Sequence, residues 1–155
     1  MRKLATVNLG LAFVATTAPI AHVLEMASKF TLSGSPWLDI QQHLYRGWGP
    51  VFGPIEILAL LSSLWLLLKS RTEPRAFRAF AIATACYALM LLAFFVFNAP
   101  ANAALNGWTP ATLPENWTAV RARWEIGHAI SALLSVIAFV TLLKEQFCEC
   151  RNAIV

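Results

Sequence analysis

Four long, nearly uncharged apolar runs constrain the fold of this chain more than any other feature of its sequence. The runs from Leu4 to Leu24 and from Ile126 to Leu143 contain no Asp, Glu, Lys or Arg. Hydrophobic residues make up 58% of the chain and charged residues 13%, against roughly 25% charged in an ordinary soluble domain. Because so few polar residues cannot cover a soluble globule, we predict an integral membrane protein with one domain over residues 1–155.

The runs predict an all-α fold, a four-helix transmembrane bundle with a short interfacial helix between helices 1 and 2. Each run provides the roughly 20 residues that a helix needs to cross a bilayer. Ser35 and Pro36 are typical of an N-cap and a first helical residue, and they predict the start of the interfacial helix. Its tryptophans, such as Trp37, are expected at headgroup level. The transmembrane helices are predicted over about residues 5–28, 50–69, 76–97 and 117–143, the interfacial helix over 36–46 and a loop over 103–116.

The basic residues predict the orientation of the chain in the membrane. Eight of the twelve lie in the N-terminus, the loop between helices 2 and 3, and the C-terminus. The positive-inside rule therefore places both termini in the cytoplasm, and we expect the bacterial inner membrane. The first run exceeds the roughly 7–15-residue core of a signal peptide, so we expect it to persist as helix 1. Nothing in this charge pattern indicates a nucleic-acid partner. The eight residues are Arg2, Lys3, Lys69, Arg71, Arg75, Arg78, Lys144 and Arg151.

With this orientation, polar side chains of all four helices fall at one depth, in the half of the bilayer away from the termini. Helix 4 carries Glu125 and His128 three residues apart, so both lie on one helical face. Helix 1 carries the reversed pair, His22 and Glu25, and helix 2 carries Glu56 near its start. Ionisable side chains inside a membrane are costly and usually functional, so the pattern predicts a shared site. Three more side chains are placed at this depth: Asn98, Asn102 and Trp124.

Three chemistries fit these side chains. Helical bundles bind di-iron with Glu-x-x-His pairs and single carboxylates, so a di-iron or single-metal site is the first prediction. A haem with two axial histidines ranks below it. The third chemistry uses no cofactor and makes one histidine a general base that a neighbouring glutamate orients. The predicted metal ligands are His22, Glu25, Glu56, Glu125 and His128, and the same set without Glu56 is the predicted catalytic group.

Four further side chains are predicted to bind the substrate. Trp124 can stack on an aromatic ligand, and Asn98 and Asn102 can position it by hydrogen bonds. Tyr45 belongs to a segment predicted to cover the mouth of the site. We expect a hydrophobic small molecule and the lipid bilayer as partners. A homo-oligomer is compatible with four short spans, but nothing in the sequence requires one.

Local ion pairs would explain the same carboxylates without any chemistry. Glu125 lies four residues after Arg121, and Glu25 lies four residues before Lys29. Pairs at this spacing face each other on a helix and contribute only a few tenths of a kcal/mol when exposed.

Structural roles are also available for the other polar residues. Glu56 would interact with the helix dipole if helix 2 began at Pro54. Asn98 and Asn102 would cap helix 3. The chain would then be a non-enzymatic membrane accessory or ligand-binding protein, with the cluster a structural hydrogen-bond network.

Two motifs resemble those of the anthrone oxygenase-like family of small four-helix membrane proteins. An Asn-x-Pro-x-Asn pattern falls on Asn98, Pro100 and Asn102, and a Trp-x-x-x-His pattern falls on Trp124 and His128. The resemblance covers nearly the whole chain and implies the four-helix fold. It also implies an oxygenase, because fungal members are linked to oxidation of anthrones to anthraquinones by molecular oxygen.

The chain departs from the family pattern at one position. Many members carry an arginine two residues after the histidine of the second motif, and Ile130 stands there in this chain. The pair His22 and Glu25 resembles that of a bacterial subgroup. The resemblance therefore implies an oxygenase or oxidoreductase acting on a hydrophobic aromatic or quinol-like substrate, without identifying that substrate.

Overall fold

The computed structural model describes the backbone of residues 2–152 and the side chains of residues 2–148. Arg151, one of the basic residues used to predict the orientation, lies outside the described side chains. The described residues form helices and connecting turns without a strand, which confirms the predicted all-α class. The helices are α1 (Arg2–Thr31), α2 (Gly34–Asp39), α3 (Trp48–Lys69), α4 (Pro74–Ala93), α5 (Ala99–Asn106) and α6 (Trp117–Asn152), and two π-helical turns cover Ile40–Leu44 and Phe94–Asn98.

Four stretches of the described chain are long and apolar enough to cross a membrane. They are α1, α3, the continuous stretch from α4 through the second π-helical turn to α5, and α6. Large apolar side chains such as Leu24, Phe95 and Leu133 are more than 60% exposed on the outside of the bundle. Such a surface suits lipid rather than water, so the chain is an integral membrane protein. Its orientation and its bacterial membrane stay predictions.

The four spans form a closed ring in which α1 and α4 each pack against both α3 and α6. Small side chains lie at these contacts, and Ala12, Ala59 and Ala138 have no exposed surface. Small residues let membrane helices approach closely, which replaces the hydrophobic effect as the source of association. Gln146 near the end of α6 donates to Thr6 near the start of α1 (3.2 Å), so both described ends lie at one end of the bundle.

That end also contains a polar contact that the sequence analysis did not single out. Asn8 of α1 is fully buried and donates to Ser62 (2.7 Å) and Ser63 (2.9 Å) of α3. These bonds satisfy polar groups that have no water to bind inside a bilayer. They fix the antiparallel register of α1 against α3.

The predicted interfacial helix differs from the observed α2. The helix begins at Gly34 after Ser33, so Ser35 is not its N-cap. Trp37 has no exposed surface, and its ring packs 5.6 Å from that of Trp117. The prediction of a headgroup-level anchor at Trp37 is therefore wrong. The segment folds back onto the start of α6, where Trp37 and Gly34 contact Trp117.

The third span is longer than predicted. Residues 103–106 are helical, and the loop begins at Gly107. Pro100 lies in the first turn of α5, where a missing N–H breaks no intrahelical bond. The π-helical turn Phe94–Asn98 precedes it directly, so the chain stays helical through the proline. This continuation holds Asn98 and Asn102 against α6.

Candidate functional site

Two histidines from neighbouring spans meet near the end of the bundle opposite the termini. The ring centroids of His22 in α1 and His128 in α6 are 4.1 Å apart. Both helices pack along their length, which brings these side chains into contact. Of the two His–Glu pairs that the sequence placed at one depth, the imidazoles are therefore in contact.

His22 sits among aromatic rings. Its ring centroid lies 4.6 Å from that of Tyr45, 4.9 Å from Trp48 and 4.8 Å from Trp124. Only 3% of His22 is exposed, and its Nδ1 finds no hydrogen-bond partner among the described residues. A buried polar atom without a partner is costly, so a ligand that bonded to it would be favoured.

The glutamates of the two pairs turn away from the histidines. Glu125 forms an ion pair with Lys29 of α1 (3.0 Å), and their side chains are 1% and 3% exposed. Glu25 accepts a hydrogen bond from the phenol of Tyr45. Burial and this bond raise the pKa of Tyr45, so the phenol stays protonated and remains the donor.

The structure replaces the two predicted local ion pairs with contacts between helices. Arg121 donates to the carbonyl oxygens of Lys29 (3.1 Å) and Leu32 (3.0 Å) instead of pairing with Glu125. These carbonyls lie at and just beyond the C-terminal end of α1, where the regular helical hydrogen bonding stops, and the carbonyl of Lys29 also accepts from the N–H of Leu32 (3.3 Å). A guanidinium is well placed to bind carbonyls at a helix C-terminus. With Arg121 engaged there, Lys29 is the cation that reaches Glu125.

The five predicted metal ligands do not form one metal site. No group of three or more His, Cys, Asp or Glu side chains within the described residues is arranged to hold a metal ion. Glu125 is bound by an ammonium group and Glu25 by a phenol. The donor set in this conformation therefore does not fit a di-iron or single-metal site.

A haem does not fit between the histidines either. Metal–nitrogen bonds of about 2 Å on opposite sides of an iron put the two imidazole centroids roughly 6 Å apart. The observed centroid separation of His22 and His128 is 4.1 Å. The arrangement is that of two rings in contact rather than two axial ligands.

The histidines face a cavity of about 350 Å³, here called the first cavity. Apolar residues dominate its wall. Phe94, Phe95 and Ile57 line it and are also 40–62% exposed on the outer surface of the bundle. The mouth of the cavity therefore opens sideways, between α3 and the second π-helical turn, toward lipid. Its polar lining residues are His22, Glu56, Tyr87, Asn98, His128 and Ser131.

Glu56 and Tyr87 supply polar groups on the wall opposite the histidines. The helix α3 begins at Trp48, not at Pro54, so Glu56 lies in its third turn. The alternative that Glu56 interacts with the dipole at the start of this helix is therefore wrong. The hydroxyl of Tyr87 is buried and has no partner among the described residues. Sequence reasoning missed Tyr87, although a lone phenol inside an apolar run was a signal.

The two family motifs are opposite sides of one helix contact. Asn98 donates to the carbonyl of Trp124 (3.0 Å), and the indole N–H of Trp124 donates to Asn102 (2.8 Å). A Cβ on Gly127 would lie 2.1 Å from the side-chain oxygen of Asn98, so only glycine permits this approach. The asparagines make no capping bonds from their side chains, which contradicts the capping alternative.

The predicted substrate-binding residues separate into two places. Asn98 lines the first cavity with the histidines. Asn102, Trp124 and Tyr45 line a second cavity of about 640 Å³ on the other side of the aromatic rings that surround His22. The sequence suggested Glu25 as the partner of Lys29. The ammonium of Lys29 instead pairs with Glu125 and lies 4.8 Å from the ring centroid of Trp124.

Comparison with known proteins gives one family. The sequence model of the anthrone oxygenase family matches residues 42–141, about two thirds of the chain. The match includes Asn98, Asn102, Trp124 and His128. It begins after the end of α1, so His22 lies outside it. Neither the search of curated proteins nor that of solved structures returns a match. The two motifs that meet at Gly127 thus lie inside the matched region, and the chain belongs to the anthrone oxygenase family.

Proposed function

We propose that this protein is a membrane-embedded oxygenase that oxidises a hydrophobic aromatic or quinol-like substrate in the first cavity. The observation that carries the proposal is the pair of contacting imidazoles, His22 and His128, on the wall of an apolar cavity that opens toward lipid. Membership of the anthrone oxygenase family supports the same class of reaction. The lateral mouth suits a substrate that is dissolved in the bilayer.

The proposed chemistry is general acid/base catalysis by the histidines. A methylene group between two aromatic rings that conjugate its carbanion with a ketone, as in an anthrone, is a weak carbon acid. His22 has an unpartnered ring nitrogen that can accept its proton. The resulting carbanion adds O2, and the imidazolium returns the proton to the peroxide. Loss of the second C–H proton with hydroxide as leaving group yields a ketone and one water.

Other side chains orient the substrate or the bases. Tyr87 has a free hydroxyl on the cavity wall and would donate to the substrate's oxygen. Glu25 and Glu125 do not line the cavity, so we assign them positioning roles. Glu25 holds Tyr45 against His22, and Glu125 holds Lys29 beneath Trp124.

Oxygen consumption with an anthrone tests this proposal. The purified protein in lipid nanodiscs is mixed with anthrone, and O2 uptake and anthraquinone absorbance are followed. His22→Ala and His128→Ala are each expected to lower the rate by roughly 10²–10⁴-fold, the usual contribution of a positioned acid or base.

Matched controls come from the same two helices. Leu24 and Leu133 are exposed on the lipid-facing surfaces of α1 and α6. Leu24→Ala and Leu133→Ala are expected to keep the wild-type rate. Full activity in both folded histidine variants would overturn the proposal, and so would a wild-type protein that binds aromatic ketones and carbon acids without consuming O2.

A non-enzymatic ligand-binding protein is the second candidate. Several polar groups of the cluster are satisfied within the protein, as a structural network would be: Lys29 with Glu125 and Asn98 with Trp124. The assay separates the two functions. Saturable binding of anthrone with no O2 uptake, unchanged when the histidines are replaced, would favour the binding protein.

A further inference from the structure

The second cavity is separate from the proposed reaction site. It lies among the first π-helical turn, α5 and α6, at the end of the bundle opposite the termini. Tyr45 and Trp124 form its inner wall, and their rings lie between this cavity and His22. Neither imidazole of the first cavity lines it. A ligand here would therefore not contact the two imidazoles of the proposed acid/base chemistry.

Two amide groups on its wall have hydrogen-bond donors to spare. Gln41 is only 8% exposed, and its NH2 group has no partner among the described residues. The oxygen of Asn102 accepts from the indole of Trp124 (2.8 Å), so the NH2 group is the part of that amide left for a ligand. A buried donor such as that of Gln41 is costly unless something accepts from it.

A third amide on the wall is already hydrogen-bonded, and the wall carries a positive charge. Gln42 spends its NH2 group on the carbonyls of Leu105 (2.7 Å) and Trp108 (2.9 Å), which ties the π-helical turn to the end of α5. Arg46 is the cation on the wall, and no aspartate or glutamate lies among the described residues that line the cavity. Free donors together with a guanidinium and no carboxylate suit an oxyanion.

We propose that the second cavity binds a small organic oxyanion, with its carboxylate or phosphate on Arg46, Gln41 and Asn102. Trp108 offers an aromatic face for the apolar body of the ligand. A planar carboxylate matches the fork of a guanidinium, so an aromatic acid is the simplest probe.

The test is a titration with benzoate, followed by tryptophan fluorescence in phosphatidylcholine nanodiscs. Trp108 and Trp124 line the cavity and report on its occupancy. Benzoate is expected to bind saturably, and the neutral analogue benzamide roughly tenfold more weakly, because charge-assisted bonds are about twice as strong as neutral ones. Arg46→Gln is expected to weaken benzoate by roughly tenfold or more and to leave benzamide unchanged. Arg71→Gln, in the loop before α4, is the charge-matched control and should change neither affinity.

Equal binding of benzoate and benzamide would overturn the proposal, as would unchanged benzoate affinity in a folded Arg46→Gln protein. A second variant, His128→Ala, should keep benzoate binding. This outcome separates failure of the anion site from failure of the proposed oxygenase. A final titration in nanodiscs containing phosphatidylglycerol identifies the source of the anion. Competition by that lipid supports a headgroup ligand, and its absence supports a soluble acid.

Discussion

The two ends of the bundle solve the problem of buried polar groups in different ways. At the end that carries the termini, Asn8 donates its NH2 group to Ser62 and Ser63 while its side-chain oxygen has no partner among the described residues, and the surrounding helices pack closely through alanines. At the opposite end, His22 and Tyr87 keep polar atoms without partners beside an open cavity. A membrane interior makes such atoms costly. The contrast teaches that one end is built for association of the helices and the other for a ligand.

Removing the buried cation should have the largest effect on stability. Lys29→Met leaves Glu125 as an unpaired buried charge, which is expected to lower the free energy of unfolding by about 3–5 kcal/mol. Thermal unfolding of the purified protein measures this. The double variant Lys29→Met with Glu125→Leu should recover most of the loss, since no charge remains. If the single variant unfolds like the wild type, the ion pair is not the buried contact described above.

A methyl group at the motif contact should come next. In Gly127→Ala the new Cβ meets the side chain of Asn98, so overpacking is expected to cost about 1–3 kcal/mol and to lower activity by moving His128. Gly10→Ala on α1 is the matched control because nothing lies within 4 Å of its Cβ position. That variant should be neutral or slightly more stable. Equal behaviour of the two variants would contradict the tight contact.

The polar contact at the other end should affect stability without affecting chemistry. Asn8→Ala removes bonds to two serines, and such bonds between membrane helices contribute about 0.6 kcal/mol on average and up to ~1.7. The unfolding temperature should fall while the turnover per folded molecule stays unchanged. A loss of turnover per folded molecule without a loss of stability would contradict the assignment of this end to helix association alone.

The phenol beside His22 should give the smallest effect. Tyr45→Phe keeps the ring and removes a single hydrogen bond, the one to Glu25, which contributes about 0.5–1.5 kcal/mol, whereas Asn8→Ala removes two. Turnover should fall by less than the histidine variants, since the ring still packs on His22. Parallel measurements of unfolding and O2 uptake check both statements. A loss as large as that of His22→Ala would make the phenol a participant in the reaction.

Much of the fold follows from the apolar runs, because a bilayer leaves a helix as the way for each run to satisfy its backbone. The depth of the polar residues follows from the same runs. The meeting of His22 and His128 could therefore be anticipated. Their direct contact could not, since it depends on how far each helix is rotated about its axis.

Partner choice was the part that sequence reasoning could not supply. Glu125 has Arg121 one turn away on its own helix, yet it pairs with Lys29 of α1. The end of α1 determines this pairing, because its Lys29 and Leu32 carbonyls accept from Arg121 and leave Lys29 as the partner of Glu125. The π-helical turn before Pro100 was equally hidden, because a single proline is compatible with a helix end or with a continued helix.

The sideways mouth of the first cavity has a kinetic consequence. A substrate that arrives from the bilayer is counted by its mole fraction among lipids, not by its concentration in the surrounding water. At fixed protein and substrate, adding empty lipid vesicles that fuse with the protein's membrane would dilute the substrate in two dimensions and slow turnover. Substrates of equal intrinsic reactivity would then rank by how strongly they partition into hydrocarbon.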